Sequence, residues 1–365
     1  MGRSSPLFQL YLTRLREFYR QPARIFWVYG FPILLAIVLG LAFKNRPPEP
    51  VAVDLIDGDG ASAVETSIDT YNARLHSSEG TKNVRRDRPP ILVHKLPEAE
   101  ALKRLRTGKT ALVVLADAGK SQPVTYRFDP TRPEATIARR VIDDVLQEAA
   151  GRTNPRPAED LYVTEPGSRY IDFLIPGLIA INAMGGGMWG IGFLLVNYRI
   201  GKLLKCLVAT PMPKRDFLLA VMGARLTFLI PDLTILLLLG KLMFDMPIRG
   251  NVALILLVDV FGALAFAGIG LLIASRTSTT ETVSGLMNLV MLPMWLFSGV
   301  FFSAERFPAA AQPFIQALPL TQLVQALRAI ILEGAGLFDV AIPLLILGAW
   351  TVVTFYLALR LFRWT

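Results

Sequence analysis

Six long apolar runs divide the chain, at residues 25–43, 171–197, 217–240, 252–274, 283–303 and 341–362. A helix rises about 1.5 Å per residue, so each run is long enough to cross a hydrocarbon layer about 30 Å thick. Between the first two runs the pattern changes. VAVDLID (51–57) alternates with the period of a strand, and ILVHKL (91–96), ALVVLAD (111–117) and PVTYRF (123–128) also read as strands. Residues 61–76, 97–108 and 133–151 read as helices, the last opening on Pro133 and closing on Gly151. Pro47, Pro48 and Pro50 form a stiff spacer ahead of them. Strands alternating with helices imply a small α/β domain over 44–169. The expected fold class is an α-helical integral membrane protein of six transmembrane helices, with a small α/β extracytoplasmic domain between spans one and two and a five-helix transmembrane domain over 170–365.

Three further segments carry a mixed pattern. In residues 1–24, Leu7, Leu10, Tyr11, Leu15 and Phe18 recur at near-helical spacing among Arg3, Arg14, Arg16, Arg20 and Arg24. This predicts an amphipathic N-terminal helix on an inner leaflet, or a basic leader that only orients the first span. Residues 199–216 place Leu203, Leu204, Leu207 and Val208 on one side of a short helix and Lys202 and Lys205 toward the other; Thr210-Pro211-Met212-Pro213 ends it. Residues 304–336 are apolar but broken by Pro308, Pro313 and Pro319, too short to cross twice, which predicts re-entrant helices dipping into the outer leaflet.

Composition sharpens this picture. The 365 residues are 53% hydrophobic and 18% charged, against about 25% charged in soluble domains. The formal charge is +9, yet acidic and basic residues nearly balance within the α/β segment. The excess lies in short loops and termini beside the apolar runs, which is topology charge rather than a nucleic-acid surface. Loops 199–216 and 275–282 and both termini are then cytoplasmic, and 44–169 lies outside.

Catalytic chemistry finds little support. Cys206 is the single cysteine, so no intrachain disulfide forms, and His76 and His94 build no zinc cluster. Thr107-Gly108-Lys109-Thr110 looks like the end of a phosphate-binding loop, but Lys103 stands where that motif needs glycine and the helix–turn–strand order is reversed; a turn is the better reading. Asp54, Asp57 and Asp59 cluster near a turn that explains them without a cation. No serine near the inner face has a histidine to activate it. No metal, cofactor or enzymatic activity is expected in this chain. The ionisable residues inside the spans are more informative: Arg225 and Asp232 in the third, two turns apart on one face, and Asp259 in the fourth. Such groups face protein or water, either lining a pathway or pairing between helices. Gly185, Gly186, Gly187, Gly190 and Gly192, with Gly262, Gly268 and Gly270, predict close helix approach.

Three segments together resemble the permease subunits of ABC transporters of the type-2 export class: YIDFLIPGLIA (170–180), RIGKLLKCLVATPMPKRDFLLA (199–220) and FSGVFFSAERFPAAAQPFIQALPLTQLVQALRAIILEG (297–334), the last with Gly299, Leu318-Pro319-Leu320-Thr321 and Arg328. Where that family carries an acidic residue followed by Gly-Thr, this chain has Arg199, Gly201 and Lys202. The resemblance implies a half-transporter of a bacterial inner membrane that exports a drug, lipid or glycan. A separate ATPase subunit would bind ATP and magnesium and dock on the coupling segment through Arg199, Lys202, Leu203, Lys205, Leu207, Pro211 and Lys214. A second permease copy or homologue, membrane lipids and a periplasmic adaptor complete the implied partners. Arg225, Asp232 and Asp259, read from their place inside the spans, and Arg328 of the outer segment are the pathway candidates. The alternatives are a mechanotransmitting membrane subunit that moves its external domain, and a membrane-anchored receptor or scaffold acting through that domain.

Overall fold

The structure is a computed structural model that describes residues 6–42, 50–58, 60–77, 89–116, 124–153, 167, 169–210, 213–301 and 303–362. The chain forms two compact units, one of Met1–Lys44 with Val163–Thr365 and one of Asn45–Tyr162. The first opens with α1 (Pro6–Tyr19) and α2 (Pro22–Ala42), the latter widened to a π-turn over Phe26–Gly30.

The smaller unit runs β1 (Val51–Ile56), α3 (Ala61–Ser77), β2 (Ile91–Leu96), α4 (Glu98–Arg106), β3 (Leu112–Leu115), β4 (Thr125–Arg127) and α5 (Pro133–Ala149). The sheet order is β2-β1-β3-β4, with β1 parallel to β2 and β3, and β4 antiparallel to β3. β1 is covered on both faces, as a central strand with helical crossovers must be. Val53 and Leu55 pack with Ile68 of α3 and Ile142 of α5, and Ile56 packs with Ala101 of α4. Asp54, fully buried on the α4 side, pairs with Arg104 at 2.8 Å, while Asp57 pairs with Lys95 at 3.2 Å. Asp59 lies outside the described residues. The 107–110 segment is a turn: Gly108 takes φ +72° and the Thr110 hydroxyl donates to the carbonyls of Ala52 and Leu112.

The first unit continues with α6 (Tyr170–Ile200), α7 (Leu203–Val208), α8 (Lys214–Phe244), α9 (Val252–Ala274), α10 (Thr280–Phe297), α11 (Gln312–Ala317), α12 (Pro319–Glu333) and α13 (Ala341–Leu361). Its core centres on α9, where Gly187 of α6 leaves Phe266 its place and Gly270 abuts the backbone of Met188. Among the described residues five helices are long and apolar enough to span a membrane: α2, α6, α8, α9 and α13. The count becomes six if the α11–α12 region, bent by 86°, is one broken span.

Several boundaries differ from the sequence reading. The run expected at 283–303 is the helix α10, which starts at Thr280, capped by Thr279, and stops at Phe297 because Gly299 turns the chain at φ +79°. Its opening Thr280-Glu281 is polar, which keeps α10 out of the five. The third run reaches from Lys214 to Phe244 rather than 217–240, because the same helix takes in the charged Lys214-Arg215-Asp216 at its start and runs on past Lys241 through Leu242-Met243-Phe244 at its end. The 199–216 segment is not one helix: Arg199 and Ile200 finish α6, Lys202 sits in the left-handed region at φ 57°, α7 covers six residues, and Lys214 already opens α8. The N-terminal helix ends at Tyr19 rather than at 24 and docks on α8, with Phe18 stacked on Phe228 at 4.0 Å and the Tyr11 and Thr227 hydroxyls 2.8 Å apart.

Candidate functional site

The most polar buried region lies where α2, α6, α8 and α9 meet. Arg225 and Asp232 are seven residues apart on α8 and form an ion pair at 3.5 Å, both at least nine-tenths buried. Asp259 of α9, also buried, lies within electrostatic range of both. The guanidinium is seated by a glycine: a Cβ on Gly186 would overlap Arg225 Nη2. Arg225 Nη2 donates to the Asn182 carbonyl at 3.3 Å, and the Asn182 amide donates to the Val28 carbonyl in the π-turn of α2 at 3.2 Å. One carboxylate pairs with the guanidinium, a second lies nearby, and satisfaction is incomplete. Arg225 Nε, both Asp232 oxygens, Asp259 Oδ1 and the Tyr29 hydroxyl are buried without a hydrogen-bond partner among the described residues. Ionisable groups inside a membrane span face protein or water and take partners there, which marks this cluster as the candidate site.

Above the cluster opens a cavity of about 990 Å³ bounded by α1, α2, α6 and α8. Arg225 and Asn182 line it on one side; Arg14, Glu17 and Arg24 line it on another. Arg14 stacks on Tyr198 at 4.4 Å and pairs with Glu17 at 2.6 Å. Burial, and then the charge of Arg24, hold the Arg14 guanidinium below its usual value against the opposing pull of Glu17. Gly185 and Gly190 keep the α6 wall low, beside a second π-turn at Met188–Phe193.

The other candidates have different settings. Arg328 is far from a free cation: Nε and Nη2 donate to the Phe173 carbonyl, Nη2 also reaches the carbonyls of Gly299 and Val300 at 2.8 and 3.2 Å, and the group lies 3.3 Å over the Phe173 ring. It braces α12 against the start of α6 and the turn after α10. Arg199 does the same at the other end of α6, donating to the carbonyls of Ala274, Ser275 and Thr277 where α9 terminates. On α7, Leu204 is the buried anchor at 1% exposure, Leu203 is 47% exposed, Leu207 is half-buried, and Lys202 and Lys205 are exposed. Pro211 lies outside the described residues, and Lys214 opens α8.

A description of ABC-2 family transporter proteins matches residues 23–360. The chain belongs to this family. Among curated relatives, the probable multidrug ABC transporter permease YbhR of Escherichia coli is 24% identical over 369 residues, covering 97% of this chain and 98% of the relative. ABC transporter G family member 20 of Dictyostelium discoideum is 29% identical over 197 residues, which is 53% of this chain and 27% of that much longer protein. The daunorubicin resistance ABC transporter permease protein DrrB1 of Streptomyces coeruleorubidus is 30% identical over 117 residues, 31% of this chain and 40% of the relative. ABC-2 permeases are membrane subunits that work with an ATP-binding subunit, and often as dimers. In this ABC-2 permease the sequence did not mark Asp172, whose carboxylate caps the first turn of α6 by accepting from the Gly167 and Arg169 backbone and the Arg169 side chain. Nor did it mark Asn182 as a partner of Arg225. The signal was present in Gly185-Gly186-Gly187, which reads as helix packing but in which Gly186 accommodates a guanidinium.

Proposed function

We propose that the chain is the permease subunit of an ATP-binding cassette exporter, moving an amphipathic substrate outward and powered by a separate ATPase that carries ATP and magnesium. The observation that carries this reading is the cavity: about 990 Å³ between membrane helices, the size of a drug-sized ligand site, lined by aromatic rings together with a few charged groups. The printed names of the multidrug and daunorubicin resistance relatives support the same substrate class. The α7 segment supports docking of the ATPase. Leu204 anchors it to the core, while Leu203, Lys202 and Lys205 remain exposed for a partner.

In this reading both termini and α7 are cytoplasmic, the 44–169 domain is extracytoplasmic, a second permease copy or homologue completes the assembly, and α11–α12 line the outer exit as re-entrant helices. Arg225, Asp232 and Asp259 form the polar element that ATP-driven movement rearranges, because one guanidinium can favour either carboxylate. The test is purification from the native membrane in mild detergent. ATP hydrolysis from a stoichiometric co-purified ATPase, lost in Leu203→Asp with the permease still intact, is expected. A clean permease with no ATPase in a detergent that preserves such complexes would move the reading to a receptor acting through its external domain.

A further inference from the structure

The cavity is uneven in charge. Among its lining residues are three guanidinium groups, Arg14, Arg24 and Arg225, and one carboxylate, Glu17, which is already paired with Arg14 at 2.6 Å. Arg24 is exposed and has no ion-pair partner among the described residues. Arg225 spends Nη2 on Asn182 and Asp232, and its Nη1 has no hydrogen-bond partner among the described residues. Asp232 and Asp259 are not among the lining residues, whereas Arg225, their neighbour, is. The remaining wall is aromatic, including Trp27, Trp189 and Phe228. At Gly185 a built Cβ meets nothing within 4 Å, so this position borders open space rather than a neighbouring helix.

We propose that this cavity is a binding site, complete within a single protomer, for an anionic amphiphile whose acidic group pairs with Arg24 and Arg225 while its apolar body lies against Trp27 and Trp189. The proposal rests on the reading that the cavity takes substrate, and it names the substrate's charge. Guanidinium groups suit it because they donate in a planar fork that matches carboxylate and phosphate oxygens. They are also strongest where water is scarce. A cationic amphiphile of the same length meets the unpaired Arg24 and finds no unpaired carboxylate among the described lining residues.

The experiment measures tryptophan fluorescence of the purified protein in phosphatidylcholine nanodiscs, without ATP. The titrants are ω-bromoundecanoate and ω-bromoundecyltrimethylammonium; bromine quenches indole on contact. Saturable quenching by the anion at concentrations at least about tenfold below those for the cation is expected, the size of one charge-assisted contact. Arg24→Gln should weaken the anion by about tenfold and leave the cation unchanged. Gly185→Leu, which fills open space, should remove the saturable phase while gel filtration stays the same. Equal or tighter binding of the cation, or unaltered anion quenching in Gly185→Leu, overturns the proposal. Phosphatidylglycerol in the disc separates two sources of the same chemistry: competition assigns the site to a membrane lipid headgroup, and no competition assigns it to an amphiphile delivered from water. Because no nucleotide is used, failure to find an ATPase or export leaves this result standing, and export of a cation alone would sink this proposal without touching the transporter reading.

Discussion

Arg328 and Arg225 are both largely buried arginines of the membrane unit, and they are held in opposite ways. Arg328 reaches three backbone carbonyls and an aromatic face, so its charge is dispersed over fixed dipoles and its position is determined by the chain fold itself. Arg225 has one long ion pair, one carbonyl, and buried polar neighbours left without partners. The first arrangement fixes three segments together. The second pairs Arg225 with Asp232 alone and leaves buried polar atoms of Asp232 and Asp259 without a hydrogen-bond partner among the described residues. Under the proposed function, the polar cluster beside the cavity is the part that moves and the carbonyl-bound brace is the part it moves against.

The comparison breaks first at Gly186. Gly186→Leu drives a side chain into the space of the Arg225 guanidinium, and the combined overpacking and displaced charge should cost upward of about 3 kcal/mol. The measurement is loss of monodisperse protein on gel filtration. Gly185→Leu, one residue away and bordering open space, should leave the elution profile intact. Equal damage from both would show that the glycine run serves helix packing alone. Next, Asp232→Asn leaves Arg225 with its long pair removed, at a cost of about 3 kcal/mol or more in thermal unfolding if Asp232 is its principal partner. A smaller loss that grows on adding Asp259→Asn would show the two carboxylates substituting for one another. Arg328→Lys retains the charge but loses the planar fork and the ring contact, and should lower stability by about 2 kcal/mol without altering ligand binding in the cavity. The smallest stability effect belongs to Leu203→Asp, within about 0.5 kcal/mol because the residue is exposed. Leu204→Asp, buried against the core, should unfold the α7 region in limited proteolysis.

The parts of this organisation that a local period can report were legible in the sequence. ILVHKL gave β2 at its observed limits, 252–274 gave α9, and Pro133 marked the start of α5. What failed depended on a single backbone angle or on a distant partner. Nothing in the apolar run 283–303 announces that Gly299 turns the chain, and the amphipathic pattern of 199–216 hides the left-handed Lys202 that detaches α7 from α6. Arg225 and Asp232 were legible as two turns apart on one face of the third run, but the pairing expected between helices is made within α8. Gly186, Asn182 and the π-turn of α2 were not, because their relation to Arg225 exists only once α2, α6 and α8 are packed. The coupling residues also divide by context. Arg199 reads as part of a cytoplasmic contact, yet its side chain closes the end of α9.

The central claim, that the cavity beside Arg225 is the compartment an ATP-driven permease opens and closes, is tested most directly by thiol accessibility. Gly185→Cys in a Cys206→Ser background places one reactive group on the cavity wall, in membranes that also contain the native ATPase partner. In inside-out vesicles the account predicts rapid labelling by a membrane-impermeant maleimide without nucleotide, and labelling slowed several-fold when ATP and vanadate trap the ATPase. Labelling at the same rate with and without the trap would contradict it.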